Sequence, residues 1–195
     1  MANTCDTTYK ITGSRKAIMD LWHTLQDMNE KSSKIWLSDL ARYYGIDFEN
    51  KGISVRGHIY FSELESKPED GFYLLTIDTE TAWTGCHDLF YAINKVLWNE
   101  LTISYREIEP GCGIFCVHDE ADFFPEECVV DSCGAPFDDV WADTYDTIGL
   151  AIDTWCEKMN IERSGRSDEE MIAYIDSYEY KYDDTYFYIH PLVKE

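Results

Sequence analysis

Four residues near the middle of the chain have side chains whose types and spacing suit acid–base chemistry. Asp78 and Glu80 stand at the end of a predicted strand. Trp83 follows them, and His87 falls in the first turn of the next predicted helix. Carboxylates and an imidazole in one cleft are the groups that general acid–base catalysis uses. A structural role is the alternative, in which Asp78 and Thr84 cap the loop and the helix while Trp83 covers the end of the sheet.

A second group is defined by charge. Residues 107–157 contain 14 Asp and Glu and no Lys or Arg. Within this stretch, the apolar residues of 138–159 recur at alternating spacings of four and three, which predicts a long amphipathic helix. The helical wheel places five carboxylates together, opposite the apolar stripe: Asp139, Asp143, Asp146, Asp153 and Glu157.

Two interpretations of this acidic face stay open. A solvated face of carboxylates keeps a protein soluble. A carboxylate surface without balancing cations also suits a basic protein partner, as in a DNA mimic that occupies the groove of a nuclease, repressor or histone-like protein. Metal binding by the same carboxylates is not expected, because the chain has no DxDxDG loop.

The cysteines point to a reducing compartment. Seven Cys are an odd number, and the polar first ten residues do not form an export signal, so free thiols in the cytoplasm are expected. The nearest pairs, Cys112 with Cys116 and Cys128 with Cys133, lack CxxC spacing. Structural zinc is therefore a minor alternative to buried, inert thiols. Because GxSxG and phosphate-loop motifs are also missing, we expect no cofactor and favour a binding protein over an enzyme.

Charge and composition limit the partners. The net charge is −22 and the pI is near 4.4, while 45% of residues are apolar and 15% are aromatic. Enough apolar residues are present for a packed core. The negative charge argues against direct binding to nucleic acid or to an anionic membrane, both of which need a positive surface. No apolar run of 18 residues occurs, so no membrane span is predicted.

Hydrophobic periodicity predicts the elements that would position these residues. Strands alternate apolar and polar residues, and helices repeat apolar residues every three or four positions. The predicted order is a strand at 5–12, a helix at 14–29, a short helix at 38–44, strands at 53–61 and 72–79, a helix at 86–98 and a strand at 101–107.

This order is that of a split βαβ unit. It predicts an α+β fold, a ferredoxin-like antiparallel sheet with helices packed on one face. Strands at 113–118 and 127–132 are expected to extend that sheet. Residues 1–135 form this domain, and residues 136–195 form a helical acidic extension, packed on the same core, that ends in a tyrosine-rich tail. That tail packs back on the domain or contacts a partner.

Three local patterns resemble the YubB family. They are Asn3-x-Cys5 leading into Ile11-Thr12-Gly13, the junction at 78–83, and the stretch 105–115 with its Glu109-x-Gly111. The resemblance implies a ferredoxin-like fold and an origin in a bacterial mobile element, such as a plasmid or a phage. It implies no activity.

The sequence therefore predicts a non-enzymatic, cytoplasmic binding protein whose acidic face engages a basic protein partner. One alternative is a small enzyme or ligand-binding domain at the strand end that carries Asp78, Glu80, Trp83 and His87. Another is a structural module that associates with itself through its sheet face or tyrosine tail. The oligomeric state does not follow from the sequence.

Overall fold

The computed structural model describes residues 3–32 and 34–195, and it divides the chain into two compact units. The first unit is Met1–Phe123 together with Lys194–Glu195, and the second is Phe124–Val193. Within the described residues, no helix is long and apolar enough to cross a bilayer.

The first unit is built on a mainly antiparallel sheet. Its elements are β1 (Thr4–Gly13), α1 (Arg15–Asn29), β2 (Ile35–Trp36), α2 (Leu37–Tyr43), α3 (Phe48–Lys51), β3 (Gly57–Lys67), β4 (Phe72–Ala82), α4 (His87–Val96), β5 (Leu101–Glu109), a 3-10 turn (Pro110–Cys112) and β6 (Ile114–His118). The strand order is β6-β5-β1-β4-β3-β2, and the C-terminal strand Val193–Lys194 adds to the edge beside β6.

One face of this sheet carries the core. Every second residue of β1 is buried, from Cys5 to Ile11, because alternate side chains of a strand point to the same face. The apolar stripes of α1 and α4 pack against that face. Ser14 begins α1 as predicted, since its hydroxyl accepts a hydrogen bond from the Ala17 N–H at 3.2 Å.

The structure corrects the start of one predicted strand and the sheet of another. Residues 53–56 do not belong to a strand, and β3 begins only at Gly57. There a Cβ would stand 2.4 Å from the carbonyl oxygen of Glu80, so glycine allows the close approach to β4. The strand predicted at 127–132 is confirmed as Cys128–Cys133, and only its expected place in the first sheet is wrong, because it pairs in a second sheet.

The second unit is also α+β. It contains β7 (Cys128–Cys133), β8 (Val140–Tyr145), α5 (Ile148–Met159), α6 (Asp168–Asp176) and β9 (Tyr186–Pro191). The antiparallel strands follow the order β8-β7-β9, which places β7 in the centre. Ser167 is the N-cap of α6 and forms a complete capping box with Glu170.

The helix predicted over 138–159 is wrong in its first half. Residues 140–145 form β8, and α5 begins at Ile148, after Thr147 accepts a hydrogen bond from the Leu150 N–H at 3.1 Å. Trp141, assigned to the core by that prediction, is 65% exposed. The later part of the apolar stripe is correct, because Ile152 and Trp155 are fully buried.

Strands β8 and β9 make the C-terminal region differ from its predicted organisation. The predicted boundary at 135/136 falls inside the second unit, which starts at Phe124. Residues 136–195 are not purely helical, since β8 and β9 lie within them. The reason is pairing: β7 needs both of these strands to satisfy its backbone groups on each side.

Candidate functional site

The predicted four-residue cleft is not assembled. Along β4, Thr79 and Thr81 are buried on the core face. Because side chains of a strand alternate between its two faces, Asp78 and Glu80 point to the opposite face. His87 begins α4 on the core face. The structure therefore separates both carboxylates from this imidazole.

Trp83 does not cover the end of the sheet. Its side chain is exposed, and its backbone takes a left-handed conformation with φ of 75°. Its N–H donates to the carbonyl oxygen of Asn3 at 3.0 Å. Trp83 thus belongs to the turn that leaves β4.

The face opposite the helices gathers negative charge. Asp6 on β1 lies directly opposite Glu80 on β4. Asp78 is two residues before Glu80 on β4, so it points to the same face. Partial burial raises the pKa of Asp6, and the charges of Glu80 and Asp78 raise it further. The Glu80 carboxylate lies 3.5 Å from His58 Nε2. No group of three or more His, Cys, Asp or Glu suited to a metal ion occurs among residues 3–32 and 34–195.

The most highly connected ionisable group is Glu107 on β5, which is only 3% exposed. Its Oε1 accepts hydrogen bonds from the Thr84 hydroxyl at 2.7 Å, the Gly85 N–H at 2.8 Å and the Cys5 thiol at 3.4 Å. Its Oε2 lies 2.5 Å from His87 Nε2. Burial alone would raise the pKa of Glu107, but the hydrogen bonds from His87, Gly85 and Thr84 lower it to about 2.

His87 continues this network to β1. Its Nδ1 lies 3.1 Å from the hydroxyl of Tyr9. Burial raises the pKa of Tyr9 well above its usual value, so this hydroxyl keeps its proton near neutral pH. Because an ionised carboxylate can only accept, Nε2 donates its N–H to Glu107.

Packing fixes the His87 ring in this position. The ring stacks on Tyr105 with centroids 3.7 Å apart and an interplanar angle of 18°. A Cβ on Gly85 would stand 2.5 Å from the ring carbon Cε1, so only glycine leaves room for it.

This network has a structural role. Both ring nitrogens of His87 are engaged by side chains of the protein, Tyr9 on one side and Glu107 on the other. Desolvation, followed by the charge of Glu107, raises the pKa of Cys5 to about 12, so the thiol is not a nucleophile near neutral pH. The network ties the first turn of α4 to β1 and β5.

Sequence reasoning placed His87 correctly at a helix start but missed Glu107 and Tyr9 as its partners. A signal was present for both. Tyr9 alternates with Cys5, Thr7 and Ile11 in the strand predicted at 5–12, and Glu107 continues the alternation of Ile103 and Tyr105 in the strand predicted at 101–107. A carboxylate at an inward position requires a buried partner.

The five predicted partner-binding carboxylates occupy three different kinds of structure. Asp153 and Glu157 lie on α5, Asp143 lies on β8, and Asp139 and Asp146 lie in the segments on either side of β8. The single helical stripe is therefore wrong. All five side chains are nevertheless exposed, and none makes an ion pair with a residue that the structure describes.

Strand β8 presents an aromatic residue among these carboxylates. Its register with β7 shifts between Val130 and Ser132, so Trp141 and Ala142 form a bulge opposite Asp131. The buried Asp131 accepts the Ala142 N–H at 2.7 Å, and its other oxygen lies 3.2 Å from His190 Nε2. Desolvation would raise the pKa of Asp131, but these two hydrogen bonds lower it.

Comparisons with protein-family models, with curated proteins and with solved structures find no match to this chain.

Proposed function

We propose that the protein is a non-enzymatic binding protein, and that its second unit engages a basic protein partner through exposed carboxylates. The observation that carries the proposal is the charge of this unit. Residues 124–193 contain 17 Asp and Glu against 4 Lys and Arg, a net charge of −13 in 70 residues. Asp139, Asp143, Asp146, Asp153 and Glu157 contribute exposed charges to it.

Exposed apolar side chains among these charges support an interface over a merely solvated surface. Trp141 precedes Asp143 by two residues on β8, and Leu150 on α5 is also exposed. Tryptophan is enriched where protein interfaces concentrate their binding energy. Charge complementarity would steer a basic partner, while Trp141 would supply apolar contact area.

We also propose that the first unit is a ferredoxin-like domain. Strands β5, β1, β4 and β3 stand in that order in an antiparallel sheet, with α1 and α4 as the connections on one face. The relationship to the YubB family, with its mobile-element origin, and the cytoplasmic location remain parts of this proposal that rest on the sequence.

Affinity capture tests the binding role. Wild-type protein and a variant with the five carboxylates changed to Lys are used to capture proteins from a bacterial lysate at low salt. We expect the wild type to retain basic proteins, identified by mass spectrometry, and to release them at about 1 M salt, where the Debye length is about 3 Å. The variant should retain none of them. Capture of the same proteins by both forms would refute the proposal.

A further inference from the structure

A cavity of about 390 Å³ lies in the second unit, between the end of α6 and β9. Five of the residues that line it are tyrosines: Tyr178, Tyr180, Tyr182, Tyr186 and Tyr188. We call these five residues the tyrosine cage. Neither the acidic face nor the His87 network uses them.

Contacts with neighbouring aromatic side chains order the rings of the cage. Tyr178 and Tyr180 lie with centroids 5.1 Å apart, and the Tyr180 hydroxyl accepts the indole N–H of Trp155 at 2.8 Å. Trp155 is fully buried, so it anchors this wall. Tyr186 and Tyr188, at alternate positions of β9, stack with centroids 5.3 Å apart and an angle of 20°. These contacts order four of the five rings of the cage, and Tyr182 is the more exposed fifth ring.

Negative charge lines the same cavity. Asp176, Glu179 and Asp183 all contribute to its walls. Burial raises the pKa of Asp176, which is the result of a carboxylate losing part of its hydration. A cation bound nearby would replace that hydration.

Two further observations point to a ligand. The ammonium group of Lys181 lies 5.2 Å from the centroid of Tyr182, so a ring of the cage already accepts a cation on its face. Thr185 lines the cavity and is 7% exposed, and its hydroxyl oxygen makes no hydrogen bond within the described part of the chain.

We propose that the tyrosine cage binds an organic cation, with the charge over the ring faces and the carboxylates at the rim. Aromatic faces attract cations through the ring quadrupole, and cages of this type suit methylated ammonium groups and guanidinium groups. The cation comes from a free quaternary ammonium compound or from a basic side chain of a protein. The site goes beyond the proposed function, because it takes one cationic group and does not require the acidic face.

Titration with three probes tests the site. Choline and N-acetylarginine amide supply the two cations, and 3,3-dimethylbutan-1-ol is the neutral analogue of choline. We expect saturable NMR shifts in the cage tyrosines with at least one cation and none with the alcohol. Binding of choline alone identifies a quaternary ammonium site, and binding of the arginine amide alone identifies a guanidinium site. Equal shifts with the alcohol, or no saturable shift with either cation, would overturn the proposal.

Variants separate ring chemistry from folding. Tyr188→Leu should weaken binding of the cation about fivefold to thirtyfold, whereas Tyr188→Phe, which keeps the ring face, should bind nearly as well as the wild type. Tyr43→Leu, at an exposed tyrosine of the first unit, is the matched control. If leucine and phenylalanine at position 188 bind equally well, the ring face is not involved and the proposal fails.

The test is independent of the acidic face. A variant with Asp139, Asp143, Asp146, Asp153 and Glu157 neutralised should bind the cation as the wild type does at about 0.15 M salt, where distant charges are screened. Loss of protein capture together with retained cation binding would show that the two sites are separate.

Discussion

At the scale of single residues, Glu107 is the most informative group in the first unit. A buried carboxylate is costly unless its charge is paired and hydrogen-bonded. Here three donors serve one oxygen and His87 serves the other. Because these donors come from β1, from the turn after β4 and from α4, the carboxylate joins three parts of the unit.

Glu107→Gln should therefore lower the free energy of unfolding by about 2–3 kcal/mol, because an amide has one acceptor oxygen and cannot serve His87 on one side and Thr84 with Gly85 on the other. Urea denaturation at pH 7 measures the change. Glu65→Gln, at an exposed position of β3, is the control and should change stability by less than about 0.5 kcal/mol. Equal effects of the two substitutions would contradict the role given to Glu107.

The same carboxylate predicts a dependence on pH. The pKa of Glu107 is lowered from 4.5 to about 2 in the folded protein. Its ionised form therefore stabilises the fold fully above about pH 4.5, and this contribution, on the order of 3 kcal/mol, is lost as the pH falls through about 2. The difference in unfolding free energy between wild type and Glu107→Gln should shrink over this range. A constant difference between pH 5 and pH 2 would contradict the assignment.

At the scale of elements, β8 and α5 show how one pattern can fit two structures. Apolar residues at 141 and 145 continue the helical spacing of 148, 152 and 155, but they also suit a short strand. The bulge at Trp141 and Ala142 turns Trp141 outward, and the N–H of Ala142 is satisfied by Asp131 on the neighbouring strand. Pairing with a distant segment, not local periodicity, decides the structure here.

Ala142 offers a test of strand against helix. Its φ is 55°, a left-handed conformation that disfavours residues with a Cβ. Ala142→Gly should raise the unfolding free energy by roughly 0.5 kcal/mol, because relief of this strain outweighs the greater freedom of glycine in the unfolded chain. Thermal unfolding measures it.

The matched control is Ala173→Gly, at an exposed position of α6, which should cost about 1 kcal/mol. If both glycine variants lose stability to the same extent, residues 138–147 are helical after all.

The local parts of the fold were predictable from the sequence. Alternation of apolar and polar residues predicted β1 and β5, and the three-to-four-residue spacing of apolar residues predicted α1 and α4. The remaining features depend on contacts between residues far apart in the chain. The strand at 128–133 lies in its own sheet because 140–145 and 186–191 pair with it. His87 was predictable as a candidate from its place at a helix start. Its pairing with Glu107 was not, because the two residues lie 20 positions apart and meet only in the folded sheet.

At the scale of the whole molecule, charge is unevenly distributed. The second unit carries −13 of the total of −22, although it contains 70 of the 195 residues. Self-repulsion of this kind reduces the stability of the compact state. In the proposed binding role, the same charge attracts a basic partner.

Self-repulsion also predicts how salt affects folding. Raising sodium chloride from about 0.01 M to 0.15 M shortens the Debye length from about 30 Å to about 8 Å. Because screening weakens repulsion among the carboxylates, the midpoint of urea unfolding should shift to higher urea concentration. A midpoint that falls or stays constant would show that the acidic side chains are not under repulsion in the folded state.

The central claim is that a particular acidic surface, and not net charge alone, binds the partner. Two variants with the same net charge of −17 separate these possibilities. In the first, Asp139, Asp143, Asp146, Asp153 and Glu157 are changed to Asn or Gln. In the second, the same changes are made at five exposed carboxylates of the first unit: Asp27, Glu30, Glu49, Glu63 and Glu65.

The direct measurement is the dissociation constant of each variant for the basic protein captured by the wild type, at low salt. We predict at least tenfold weaker binding, about 1.4 kcal/mol, for the first variant and a change of less than about threefold for the second. Equal weakening in both variants would contradict the account, because binding would then follow total charge and not the surface of the second unit.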